Sequence, residues 1–185
     1  MEEKKGSHLM SMEDMSTSSD AELAEAMRSS NAAAFKTFYY RYHDSIASFL
    51  YHRTYSAELT KDFVQEVFTR IWQTREKIDV TKSIKAYLYR IAKNLVIDYF
   101  RKNSSRKSYI TTQTRRKQLS SQASIEMQTS INIAINKLPE KLRTVFMLSR
   151  YDGLKYVEIA EVCQVSVKTV ESRMSQALNF LRKEL

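Results

Sequence analysis

Two glycines, Gly6 and Gly153, and one proline, Pro139, are all the specialised turn residues in this chain of 185 residues. Tight β-hairpins draw on glycine to reach the positive φ of their turns, and most sheets need several such turns. A sheet protein is hard to build from this supply, so the fold class is read as all-α. The hydrophobic fraction of 43% is enough to bury a core and argues against wholesale disorder.

The apolar residues repeat at helical spacing. Asp20 is a candidate N-cap for a first helix starting near Ala21, with Glu22 in its first turn. Phe35, Phe38, Tyr42, Ile46, Phe49 and Leu50 form one buried stripe, which predicts a long core helix over Ala33–Tyr55. Phe63, Val67, Ile71 and Val64, Phe68, Trp72 form two adjacent rows, which predict a helix over Thr60–Trp72. After a polar loop from Asp79 to Ser83, a fourth helix is expected from Ile84 to Arg101, with Ile84, Leu88, Ile91 and Leu95 inward.

Composition then shifts. Residues 104–125 are rich in Ser, Thr, Gln, Lys and Arg and poor in apolar residues, the mark of a flexible basic linker. Helical periodicity returns from Ile125. Leu138-Pro139-Glu140 opens a further helix with the proline in its first turn, and Gly153 supplies a left-handed stop. Two small helical domains, 16–103 and 126–185, are therefore expected on either side of the linker. Gly6-Ser7-His8-Leu9-Met10 reads as a cloning-vector remnant, and residues 1–15 are set aside as tag or disordered.

The formal net charge of +9 favours a polyanionic partner, nucleic acid or an anionic membrane surface. No apolar run of about 18 residues exists, so no membrane insertion is expected. The N-terminus lacks a signal pattern, and the lone cysteine, Cys163, suits a reducing compartment. A cytoplasmic protein follows as the expectation.

The C-terminal segment carries the sharpest pattern. A short helix is expected over Lys155–Glu161, with Ile159 and Ala160 inward, then a turn at Cys163-Gln164-Val165. Ser166 then caps a helix from Val167 to about Glu184, with Val170, Met174, Ala177 and Leu181 as its inward row. This is the layout of a helix-turn-helix, whose second helix enters the major groove. Its outward face carries Lys168, Thr169, Glu171, Ser172, Arg173, Ser175 and Gln176. Arg173 can pair with guanine, Gln176 with adenine, and Glu171 can accept from cytosine. A plain helical hairpin with a solvated face is the bland alternative. Gln164 stands where such turns often carry glycine; if it is left-handed it costs on the order of 1 kcal/mol.

Two further surfaces stand out. Asp62, Gln65, Glu66 and Thr69 share one face at i, i+3, i+4, i+7 over an apolar underside, which suits docking to a partner. On spacing alone a solvated face is the simpler assignment. From Lys82 to Lys117 the basic residues include Lys85, Arg90, Lys93, Arg101 and Lys102 against one acid, Asp98. Tyr87, Tyr89, Tyr99 and Phe100 are interleaved. Cations that follow phosphates and aromatic faces that stack on bases, worth about 1–3 kcal/mol each, suit single-stranded or melting DNA. Core packing is the competing assignment, above all for Tyr87 and Phe100.

The runs Phe63-Val64-Gln65-Glu66-Val67-Phe68-Thr69-Arg70-Ile71-Trp72 and Ala86-Tyr87-Leu88-Tyr89-Arg90-Ile91-Ala92-Lys93-Asn94-Leu95-Val96-Ile97-Asp98-Tyr99-Phe100-Arg101 resemble the extracytoplasmic-function (ECF) sigma factors. Leu138-Pro139-Glu140, Gly153-Leu154, Glu158-Ile159-Ala160 and Ser166-Val167-Lys168-Thr169-Val170-Glu171-Ser172-Arg173 resemble their second domain. The resemblance runs from Ser18 to Leu185, with both motifs in order. It implies a promoter-recognition subunit of RNA polymerase. Asp62, Gln65 and Glu66, with Thr69 on the same face, match the contact with the clamp helices of the polymerase largest subunit. The helix Ile84–Arg101 and the loop before it match the part that opens the −10 element and captures a flipped base. Arg90, Lys93, Asn94 and Arg101 carry over to that role, joined by Lys85 and Tyr87. The helix Val167–Glu184 matches the −35 reader, and the linker matches the segment that threads the polymerase cleft.

The implied partners are core RNA polymerase through its two largest subunits, promoter DNA, and an anti-sigma factor, with the chain itself a monomer. No cofactor, metal or catalytic residue is expected. His43 and His52 lack the i, i+4 spacing of a helical metal site, which weighs against a DNA-cutting enzyme. A stand-alone helix-turn-helix regulator is the main alternative and would grip its operator without polymerase. A helical adaptor binding only protein leaves the basic linker without a role.

Overall fold

The computed structural model describes residues 15–104 and 124–185. Residues 1–14 and most of the stretch assigned to the linker lie outside them. Among the described residues are eight α-helices, one 3-10 turn and no strand, the all-α architecture that the scarcity of turn residues demands. The helices are α1 (Asp20–Arg28), α2 (Ala32–Thr54), α3 (Ala57–Gln73), α4 (Ile84–Ser104), α5 (Ser124–Lys137), α6 (Glu140–Arg150), α7 (Tyr156–Cys163) and α8 (Val167–Glu184). A 3-10 turn, Arg75–Lys77, follows α3. Contacts divide the chain into two compact units, and the division falls after Ala92, inside α4.

In the first unit, α1 is capped by Ser19 and not by the expected Asp20. The Ser19 hydroxyl accepts from the Glu22 N–H at 3.3 Å, and the Glu22 carboxylate accepts from the Ser19 N–H at 2.7 Å. This reciprocal box satisfies two orphan donors, and the Ser19 N–H holds the Glu22 carboxyl below its ordinary pKa. Asp20 is the first helical residue, and its carboxylate is claimed from α2. It accepts from Arg41 at 2.8 Å and from the Tyr42 hydroxyl. Arg41 also donates to the Ser16 and Ser18 carbonyls at 3.1 and 2.7 Å. Both residues are good caps; the tertiary partners decide between them.

In α2, the Asn31 side chain accepts from the Ala33 and Ala34 N–H groups. Phe38, Tyr42, Ile46, Phe49 and Leu50 are buried as the stripe requires, while Phe35 is half-buried against Trp72, with ring centroids 5.0 Å apart. The next helix, α3, starts three residues earlier than expected because Ser56 caps it through the Leu59 N–H at 3.3 Å. Val64, Val67, Phe68 and Ile71 are buried, with Phe63 and Trp72 half-buried at the margins. Full burial of such a side chain contributes about 1.5–3 kcal/mol.

The fourth helix departs furthest from expectation. Ile84, Leu88 and Leu95 are buried, but Ile91 is only half-buried, and Ala86, Tyr89, Ala92 and Val96 are buried as well. At the helical 3.6 residues per turn these positions sweep more than half the circumference, far more than one stripe. Tyr89 is 0% exposed, with its ring 5.1 Å from Phe49 at 81°. It is a core residue, not an aromatic offered to bases. Phe100 is the converse: the core assignment fails, because it is 47% exposed.

In the second unit, α5, α6 and α8 share a core of Ala134, Ile135, Leu138, Met147, Ala177 and Leu181. From α7 come Ile159, Ala160 and Val162, all buried. Pro139 occupies the cap position of α6 and Glu140 its first helical position, one residue later than expected. Proline has no N–H to lose there and its fixed φ suits the approach. Gly153 is left-handed, with φ +62°, as the stop after α6 requires. Three other left-handed residues follow helices and are not glycine: Ser30 (φ 64°), Tyr55 (φ 50°) and Gln164 (φ 54°).

Candidate nucleic-acid and polymerase interfaces

The helix-turn-helix is built from α7, the turn at Gln164-Val165, and α8. Glu158 accepts from the Lys155 N–H at 2.9 Å and so closes the start of α7. At its end Gln164 is left-handed, and the Val165 N–H reaches back to the Ala160 carbonyl at 3.0 Å. That bond is the wide closure of a Schellman turn, which normally prefers glycine. Gln164→Gly is therefore expected to stabilise the second unit by about 0.5–1 kcal/mol, since relief of left-handed strain outweighs glycine's added chain entropy. A lower thermal midpoint for the variant would contradict this account.

Ser166 caps α8 by accepting from the Thr169 N–H at 3.1 Å. Val170, Met174, Ala177 and Leu181 are all buried, and their burial turns the opposite face outward. Lys168, Glu171, Ser172, Ser175 and Gln176 are exposed there, while Thr169 and Arg173 are half-buried. Gln176 is not wholly open, because its amide donates to the Ser172 hydroxyl at 3.1 Å. All seven predicted residues lie on this helix. They occupy positions 168–176, toward its N-terminal end, the end that a recognition helix presents to base edges. A recess of about 520 Å³ opens beside them, bordered on its other side by the α6 cap residue Pro139 and by Lys141 and Leu142 of α6. Sequence reasoning missed those three, since α6 lies some thirty positions upstream and nothing local signals that it borders α8.

On α3, Asp62, Gln65 and Thr69 are exposed and Glu66 is half-exposed. Glu66 is ion-paired with Arg70 at 2.6 Å one turn on. The four predicted residues share one open face. Beside them a groove of about 920 Å³ runs between α2 and α3. Phe35, Tyr39, Tyr51, Val64, Phe68 and Trp72 line it, and Gln65 and Thr69 form part of its wall. The polar stripe thus borders an apolar trough that was not legible in the sequence, because its lining comes from two helices.

On α4 the predicted residues are less uniformly presented. Asn94 and Arg101 are exposed; Lys85, Tyr87, Arg90 and Lys93 are half-buried. The Tyr87 hydroxyl shares a hydrogen bond with the Thr74 hydroxyl at 3.1 Å, and the Arg90 guanidinium lies 5.2 Å from the Tyr87 ring centroid. Tyr87 is thereby held at its rim with one partner on α3's end and a cation against its ring. Arg101 donates to Asp98 at 2.9 Å, so a phosphate would compete with that carboxylate. With Tyr89 in the core, the aromatics this helix leaves open are Tyr87 and Tyr99 in part, and Phe100, whose ring lies 5.4 Å from that of Tyr99.

The loop before α4 is ordered by one carboxylate. Asp79 accepts from the Thr81 hydroxyl at 2.6 Å, from the Thr81 N–H at 3.1 Å, and from Lys82 at 3.1 Å. The Thr81 hydroxyl, foremost, holds the Asp79 carboxyl below its ordinary pKa. Ser83 closes the loop by accepting from the Ala86 N–H at 3.1 Å.

Comparison with known proteins bears directly on these surfaces. Residues 38–106 match the sigma-70 region 2 model, and residues 130–181 match the sigma-70 region 4 model. The chain is 31% identical over 159 residues to the ECF RNA polymerase sigma factor SigW of Bacillus subtilis, covering 78% of this chain and 84% of the relative. It is 28% identical over 156 residues to the ferric citrate uptake sigma factor FecI of Escherichia coli, covering 78% and 86%. The solved structure of CnrH in complex with the cytosolic domain of CnrY is similar at a TM-score of 0.70 and 26% identity, covering 89% of this chain and 95% of that one. No described helix is long and apolar enough to cross a membrane. The chain belongs to the ECF sigma factors, and it is an RNA polymerase sigma factor directing transcription initiation.

Proposed function

We propose that this sigma factor grips a promoter at two points while its α3 face holds it to core polymerase. Residues 16–103 serve as the docking and −10 domain, 104–125 as the linker, and 126–185 as the −35 domain. The observation that carries the reading is the α8 register: four buried residues leave Lys168, Thr169, Glu171, Ser172, Arg173, Ser175 and Gln176 turned outward together. Those residues read the −35 duplex. Lys85, Tyr87, Arg90, Lys93, Asn94 and Arg101 of α4, with the Asp79-ordered loop, hold the opened −10 strand. Asn94 offers amide groups to a base edge, and the cations follow phosphates.

Each reader is modest alone. Tethered on one chain and held by polymerase, they act through effective concentration. Capture of an unstacked base then offsets part of the melting cost, a few kcal/mol per flipped base. The chain performs no chemistry; catalysis and its magnesium ions belong to the polymerase. It works as a cytoplasmic monomer, and an anti-sigma factor is its regulator; the similar CnrH is itself held in a complex, with the cytosolic domain of CnrY.

The test is run-off transcription with purified core polymerase on a matching promoter. Addition of this chain is expected to produce promoter-specific initiation; its absence would refute the reading. The docking face has its own test. Asp62, Gln65, Glu66 and Thr69 lie on a solvent face of α3 beside the apolar groove. Gln65→Ala with Glu66→Ala is expected to weaken core binding while leaving the thermal midpoint unchanged. Unaltered core affinity, measured by fluorescence anisotropy of labelled chain, would remove the docking role.

A further inference from the structure

The recess beside α8 holds one cation, Lys141, that does not come from the recognition helix. It is bounded by two helices, with Lys141 on α6 and Lys168 and Arg173 on α8, and by the hydroxyls of Ser166, Thr169 and Ser172. None of the residues lining it is acidic. Among the described residues, none of these three cations is ion-paired, whereas Arg28, Arg41, Arg70 and Lys137 all are. A concave surface with converging cations and hydroxyls, and no carboxylate, is matched to a phosphate with its anionic oxygens. Lys168 and Arg173, on α8 itself, can still turn to base edges, where arginine pairs with guanine, whereas Lys141 lines the opposite wall, off the recognition helix.

Lys141 is the informative member. It stands on a different helix from every residue that faces the bases. A unit held in a groove through one helix alone can roll about that helix's axis. A contact from a second helix stops the roll and fixes which side chains meet which base pairs. Phosphate contacts position and base contacts specify. We propose that Lys141 binds a phosphate of the −35 backbone and sets the register of α8 in the groove, an assignment that rests on α8 being the −35 reader. Its role is positioning, and it carries no base preference of its own.

The experiment uses the full chain bound to core polymerase and a short duplex bearing only a −35 element, chosen by selection with this holoenzyme from a random-sequence library. Affinity is measured against KCl concentration for the wild type, Lys141→Ala, Lys141→Arg and Arg173→Ala, on the selected duplex and on its single base-pair variants. For Lys141→Ala the slope of log affinity against log salt should shrink by about 0.9, the share of one phosphate contact. Its loss should be the same factor on every duplex, and Lys141→Arg should restore the slope. An unchanged slope overturns the proposal, and so does a loss confined to one base pair, which would make Lys141 a base reader. If the wild type is itself indifferent to every base pair in the duplex, and Arg173→Ala changes nothing, then the −35 reading of α8 has failed and the proposal falls with it. A slope change in Lys141→Ala beside normal base discrimination by the wild type separates the two cases. Lys141 is exposed in the first turn of α6, so the substitution leaves the fold in place, which the thermal midpoint of the second unit verifies.

Discussion

Tyr89→Ala is expected to destabilise the first unit by about 3–5 kcal/mol, the cost of removing a fully buried large side chain and leaving a cavity. The ring is 0% exposed and meets Phe49 edge-on at 5.1 Å, so its loss removes both burial and a favourable aromatic pair. Small domains hold only about 3–5 kcal/mol from a single core. The variant should therefore be substantially unfolded in its first unit at 37 °C while the second unit stays folded. Backbone amide spectra of the labelled full chain check this, since α7 and α8 signals should persist as α2 and α3 signals collapse. Tyr89→Phe should retain most of the structure, because the ring is kept. Well-dispersed α2 and α3 signals in Tyr89→Ala would show that the ring is not part of the core. The distinction matters for function, because loss of −10 activity in this variant would arise from unfolding and not from a missing stacking contact.

The second large effect concerns Arg173. It sits half-buried on α8, about two turns beyond the Ser166 cap, with its guanidinium in no ion pair among the described residues. Arginine pairs bidentately with guanine, and each such pair is worth about 1–3 kcal/mol of discrimination. Arg173→Ala should lower initiation from a matched promoter by roughly ten- to a hundredfold. The loss should centre on one base pair: promoters altered there should no longer be distinguished, while substitutions elsewhere keep their penalties. Transcription from a panel of −35 variants measures this. A uniform loss across the panel would assign Arg173 to the backbone.

Local patterns reveal some of these features and tertiary partners hide the others. The row Val170, Met174, Ala177 and Leu181 was legible because α8 packs along one face, where helical period alone sorts inside from outside. The Ser166 cap was legible for the same local reason. Asp20 was not, because its carboxylate is taken by Arg41 and Tyr42 from twenty-odd positions away. Tyr89 was not, because α4 is covered on more than half of its surface and a single stripe underestimates that arc. Among the candidate sites, the polar residues of α3 and α8 lie on open faces as their spacing required. The apolar groove and the Lys141 recess each need two helices brought together, which no local pattern encodes.

The left-handed residues that follow helices bear on how this protein can change. Ser30, Tyr55 and Gln164 hold a conformation that glycine adopts without strain, at roughly 1 kcal/mol apiece. Selection has left that reserve unspent, as it commonly does in proteins that stand only just above the stability their function needs. Gln164 adjoins the recognition helix, so the reserve is placed beside the surface where new promoter specificities arise. A lineage that acquires a destabilising change on α8 can recover the loss with one substitution in the adjacent turn. The helix-turn-helix can in this way drift toward new promoter sequences without passing through an unfolded intermediate genotype.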